Sequence, residues 1–98
     1  MSKHLDPLDV AAAAFGSRLR LDILRTLAHS PDSSAHELAS ELDVLRSTLS
    51  ANLRALESAG LIISNDPSED RRGRRLRYRV QPEAYLDALE AVRRLLQG

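Results

Sequence analysis

The stretch from Asp43 to Val80 constrains the fold of this chain most. It opens with DVLRSTLSANLRALESAG, in which Leu49, Leu53 and Leu56 recur at helical spacing and Gly60 supplies a C-terminal stop. LIISND follows, and its apolar, partly β-branched start predicts a strand over Leu61 to Ser64. Asn65 to Gly73 contains Pro, Ser, Asp and Gly and predicts the turn region. Arg74 to Val80 then alternates, with Leu76, Tyr78 and Val80 on one face and Arg75, Arg77 and Arg79 on the other. A short amphipathic helix therefore runs directly into a β-hairpin whose far end is basic.

The preceding residues read as further short helices. Asp6 before Pro7 gives an N-cap with proline at the first helical position, and Leu8, Ala11, Ala12 and Phe15 recur over a helix from Pro7 to Phe15. Gly16 stops it and Ser17 caps a second helix, Arg18 to His29, with Leu19, Ile23, Leu24 and Leu27 on one face. Ser30, Pro31 and Asp32 end that helix, because proline cannot continue it. Ser34 with Glu37 fits a capping box for a third helix, about Ala35 to Leu42. Asp43 and Val44 make a tight turn before the fourth, about Arg46 to Ala59. Gln81 and Pro82 start a last helix to about Leu96, with a broad apolar stripe through Tyr85, Ala88, Leu89, Val92, Leu95 and Leu96. The predicted class is mainly α with a small β-hairpin, about five helices plus a two-stranded wing. This is a winged helix-turn-helix forming one domain over 1–98, with the helix-turn-helix at about 34–60 and the wing at about 61–80.

Composition narrows the function. There is no cysteine, which excludes disulfides, thiolate metal sites and thiol redox sensing. No apolar run approaches the roughly 20 residues needed to cross a bilayer, and no signal peptide is recognisable, so a cytoplasmic location without membrane contact is expected. The formal net charge is zero, but six of the fourteen Lys and Arg residues fall between Arg71 and Arg79, a stretch without an acid. Local potential governs binding to a polyanion, and this polarised charge points to double-stranded DNA.

Stepping about 100° per residue from Leu49 puts Ser47, Ala51, Arg54 and Ser58 nearly opposite the core. Ser50 and Thr48 flank them, and Asn52 sits nearer the core edge. Small side chains let a recognition helix sit deep in the major groove; Arg can pair with guanine, Ser and Thr with several bases, and Ala can touch a thymine methyl. The expected reading set is Arg46, Ser47, Thr48, Ser50, Ala51, Asn52 and Arg54. In the wing, Arg71, Arg72 and Arg74 surround Gly73 at the tip and suit a narrow minor groove. Arg75 and Arg77 lie further back at phosphate-contact positions, and Arg79 is a candidate to pair with an acid instead. Solvated surface is the alternative for the helix residues, but six arginines in nine positions repel one another, and a merely solvated edge strand usually mixes signs or uses lysine.

FGSRLRLDILRTL and HELASELDVLRSTLSANLRALESAGLI, with the L-x-x-L-x-x-A-G-L-I ending that leads into the wing, resemble the ArsR family of small bacterial winged-helix repressors. The resemblance spans about residues 8 to 97. It implies a homodimer joined by the first and last helices, about 7–15 and 82–97, presenting two recognition helices to a palindromic operator. The expected interface is Leu5, Leu8, Ala12, Phe15, Tyr85, Leu89, Val92 and Leu96. Members of the family often sense metal through third-helix cysteines or last-helix His and acids. Here the matching positions are Ser34 and His36, and the last helix offers Glu83, Asp87 and Glu90 but no histidine, so no metal and no cofactor are expected. Leu45 also stands where a capping Ser is common in the family.

The expected function is a sequence-specific DNA-binding transcriptional regulator, a homodimeric repressor. The alternatives are a phage- or plasmid-type DNA-architectural accessory protein and a winged helix that binds a protein partner. No enzyme is expected, since no nucleophile has a base at a suggestive spacing and there is no glycine-rich phosphate loop.

Overall fold

A computed structural model of the chain describes residues 5–66 and 76–98. Its elements, in order, are α1 (Pro7–Phe15), α2 (Arg18–His29), β1 (Ser33–Ser34), α3 (Ala35–Leu42), α4 (Arg46–Ser58), β2 (Ile62–Ser64), β3 (Arg77–Val80) and α5 (Pro82–Leu96).

Local chemistry sets most of these boundaries. The Asp6 carboxylate accepts from the Leu8 N–H at 2.9 Å, and the Ser17 hydroxyl accepts from the Arg20 N–H at 3.0 Å. A side chain at Gly16, between those helices, would run into the Ala12 carbonyl oxygen. At the start of α3 the capping box is complete: the Ser34 hydroxyl accepts from the Glu37 N–H at 3.1 Å, and the Glu37 carboxylate from the Ser34 N–H at 2.8 Å. Beyond α4, Gly60 takes a left-handed φ of 76°. Its N–H and that of Leu61 donate back to the Glu57 and Leu56 carbonyls, each at 3.0 Å. That pair of bonds is the Schellman pattern, and it throws the chain straight from α4 into β2. The end of α3 repeats it with Asp43, φ 54°, as Val44 N–H donates to the Ala39 carbonyl at 3.1 Å.

Among the described residues the expected hairpin of β2 and β3 is joined by a third strand, giving the order β1-β3-β2, all antiparallel. Ile62 stands opposite Val80 and Ser64 opposite Tyr78, while on the other edge of β3 Ser33 faces Tyr78 and Ser34 faces Arg77. Two serines carry no alternation that could announce a strand. Pro31 ends α2, Asp32 turns the chain at φ 67°, and the Asp32 N–H bonds the Tyr78 carbonyl at 3.0 Å, so pairing is imposed by tertiary position.

One cluster of buried side chains joins all five helices to the sheet. Ile23 and Leu27 of α2, Leu38 of α3, Leu49 and Leu56 of α4, and Leu61 and Ile62 at the entry to β2 are fully buried within it. α1 packs along α5, where Phe15 and Tyr85 meet with ring centroids 6.3 Å apart. Of the residues expected at the interface, Tyr85 is 7% exposed within a single copy, with its ring against Phe15. Phe15 and Val92 are half-buried against the same core. Leu5, Leu8, Ala12, Leu89 and Leu96 remain on the surface, joined by Leu86 and Leu95. Among the described residues no helix is long and apolar enough to cross a membrane.

Candidate nucleic-acid interface

α4 is oriented by its leucines. Leu49, Leu53 and Leu56 are at most 2% exposed, which turns the opposite face of the helix outward. Arg46, Ser47, Thr48, Ala51 and Arg54 are all exposed there, and Ser50 is half-buried beside them. The helix starts without a side-chain cap, since Leu45 at the N-cap has no hydrogen-bonding group and is 74% exposed. The outward surface therefore carries small side chains between two arginines.

Asn52 differs from its neighbours. Its Oδ1 accepts from Arg20 Nε at 2.8 Å, and its Nδ2 donates to the Thr48 carbonyl at 2.9 Å. The amide is engaged within the protein on both sides. The angular position of Asn52 near the core edge hints at this, but its partner lies 32 residues earlier on α2, and no local signal announces it.

The base of the wing is tied down by polar contacts. The Ser64 hydroxyl donates to Glu57 Oε2 at 3.1 Å, linking β2 to α4. The Asn65 side-chain oxygen accepts from the Arg77 N–H at 2.9 Å. Arg77 Nη1 donates to the Asp32 carbonyl at 2.9 Å and lies 3.7 Å from a Glu37 carboxylate oxygen. The Arg77 side chain thus faces the β1 side of the sheet. Arg79 grips Asp32 with two parallel bonds of 2.7 and 2.8 Å. The hydrogen bond from Arg79, with its charge, holds the Asp32 carboxyl below the usual carboxylate range, and Asp32 raises Arg79 in turn. Arg79 is the wing arginine named above as a candidate to pair with an acid, and Asp32 is that acid. Arg71, Arg72, Arg74 and Arg75 lie outside the described residues.

The family resemblance points to Ser34, His36 and the acids of α5. Ser34 is the buried N-cap of α3, His36 is exposed, and Glu90 is held by Arg93 and Arg94, at 2.6 and 3.2 Å. Among the described residues no three His, Cys, Asp or Glu side chains converge on a common point.

Known proteins resolve what such an arrangement belongs to. The family model of a helix-turn-helix domain matches residues 15–65. No curated protein matches the sequence significantly. Among solved structures, an ArsR-like transcriptional regulator from Rhodococcus sp. RHA1 is 30% identical over 91% of this chain and 76% of its own, with a TM-score of 0.73. The homodimeric winged helix-turn-helix DNA-binding domain of a possible ArsR-family transcriptional regulator from Mycobacterium bovis is 27% identical, over 94% of this chain and 88% of that one, with a TM-score of 0.65. Reduced HlyU from Vibrio cholerae is 27% identical over 91% and 87%, with a TM-score of 0.64. With its recognition-type helix, its three-stranded wing base and no cysteine anywhere, this chain belongs to the ArsR family of winged helix-turn-helix, DNA-binding transcriptional regulators and lacks a cysteine-based metal site.

Proposed function

We propose that the protein is a homodimeric repressor that occupies a palindromic operator, with α4 of each copy in the major groove and the arginine-rich wing on the minor groove and backbone. The observation that carries this reading is the outward face of α4. Arg46, Ser47, Thr48, Ala51 and Arg54 are exposed in a row over a fully seated leucine seam, with Ser50 at the margin. Small side chains let the helix approach base edges, and the two arginines flank them with charge. Exposed leucines on α1 and α5 support a second copy, as does the homodimeric state named for the Mycobacterium bovis relative. A two-fold axis then sets the half-sites about one helical turn apart.

In this scheme the wing tip supplies salt-dependent affinity and α4 supplies selection. Binding to operators chosen from a randomised library, measured at two salt concentrations, tests both parts. Replacing Arg72 and Arg74 together by Ala should weaken binding to all sequences and flatten the salt dependence by roughly one log unit per log unit of salt for each phosphate left unneutralised. An unchanged slope would remove the wing from the mechanism. Ser47 or Ala51 substitutions should change which bases are preferred; a uniform loss across all sequences would remove their reading role.

A further inference from the structure

We propose that Arg20 and Asn52 form a brace that sets the position of α4 on the body of the protein, and that Asn52 is a positioning residue for DNA recognition and does not read a base. The inference rests on α4 being the base-reading helix. Arg20 projects from α2 with its guanidinium shared between two elements. Nε donates to Asn52 Oδ1 at 2.8 Å on α4, and Nη1 donates to the Ala13 carbonyl at 3.3 Å on α1. The backbone of Arg20 is itself fixed by the Ser17 cap at 3.0 Å. Asn52 completes the chain by donating to the Thr48 carbonyl, one turn nearer the reading end of its own helix.

The chemistry suits a strut. A guanidinium presents its donors in a rigid planar fork, so two bonds from one head fix an angle as well as a distance. Apart from this brace and the Ser64–Glu57 bond near its C-terminal end, α4 rests on leucines, and apolar contacts resist separation better than they resist rotation of a helix about its axis. A polar clamp on one flank supplies the missing orientation. One lone pair and one amide hydrogen of Asn52 are committed to Arg20 and to the Thr48 carbonyl, which fixes the plane of the amide; swinging that amide toward a base would break the Arg20 bond and leave a half-buried guanidinium donor without this acceptor.

The test compares Arg20→Ala, Arg20→Lys, Asn52→Ala and the double Ala variant of the whole chain. Affinity is measured for an operator selected by the wild-type protein and for unrelated DNA, at two salt concentrations, well below each melting temperature. Each single Ala variant should lose roughly tenfold in specific affinity, the scale of one charge-assisted hydrogen bond. The double variant should lose little more than either, because both remove the same bond. Affinity for unrelated DNA, the salt slope and the base preferred at each operator position should stay as in the wild type. Arg20→Lys should resemble Arg20→Ala, since an ammonium cannot form the fork.

Relaxed preference at one operator position in Asn52→Ala alone would make Asn52 a reader and overturn the proposal. A salt slope that drops by about one in Arg20→Ala and returns in Arg20→Lys would make Arg20 a phosphate contact. Wild-type specific affinity in folded variants would reduce the bond to a structural one. Should Arg20→Ala fail to fold, Arg20→Lys with Asn52→Ala supplies the same cycle. If the wild-type protein selects no sequence at all, it is the reading of α4 that fails, which is a separate outcome.

Discussion

Tyr85 shows how one residue can be committed to the interior at a cost. Among the described residues, its hydroxyl is a buried polar atom without a hydrogen-bond partner. Burial pushes the phenol up to about 12, with the positive charge of Arg20 pulling slightly the other way. The folded value lies above the unfolded one, so the folded state favours the neutral phenol. That preference contributes fully below about pH 10 and is lost as the pH rises through about 12. Tyr85→Phe keeps the ring against Phe15 and removes the unpaired oxygen. It should leave stability at neutral pH unchanged or raise it by about 1 kcal/mol, and it should remove this part of the alkaline loss. Thermal melting at neutral pH and across the alkaline range, together with the difference in tyrosinate absorbance between wild type and variant, checks both parts. A loss of stability at neutral pH would mean that the hydroxyl has a partner after all.

At the scale of elements, the helix ends are where sequence and structure agree best, because caps are local chemistry. Asp6, Ser17, the Ser34–Glu37 box and Gly60 each act within about one turn of their own position, so spacing alone exposes them. α4 is the exception at its N-terminus, where Leu45 leaves the first turn without a side-chain acceptor. Leu45→Ser adds one and gives up little burial, since the leucine is 74% exposed. It should raise stability by about 1 kcal/mol, read as a higher urea midpoint with an unchanged slope. No gain would show that those N–H groups are satisfied in another way. What the sequence could not disclose is non-local. β1 exists because Ser33 and Ser34 are carried alongside β3, more than forty positions later, and the Arg20–Asn52 bond and the packing of Tyr85 under Phe15 are likewise made by the fold. The direction of the Arg77 side chain depends on the same strand, since its acceptor is the Asp32 carbonyl just before β1.

At the scale of the whole molecule, basic residues and exposed leucines are concentrated in different stretches of the chain. The basic residues concentrate in the wing, and the exposed leucines gather on α1 and α5, where Leu8 is 43%, Leu89 56% and Leu96 84% exposed. In the proposed dimer a second copy covers these leucines and doubles the number of phosphates reached. Burying a leucine side chain contributes about 1.5–3 kcal/mol, so replacing one in an interface by a charged residue should weaken association by at least about tenfold. Leu89→Asp combined with Leu96→Asp should therefore shift the protein from dimer to monomer in sedimentation equilibrium, with the helical content of the chain retained. The monomer should still bind DNA through α4 and the wing, but at half the salt slope, and it should no longer distinguish a two-half-site operator from a single half-site. A dimer that persists with both substitutions would move the association surface away from α1 and α5. A monomer that binds the full operator as the wild type does would show that recognition needs only one copy.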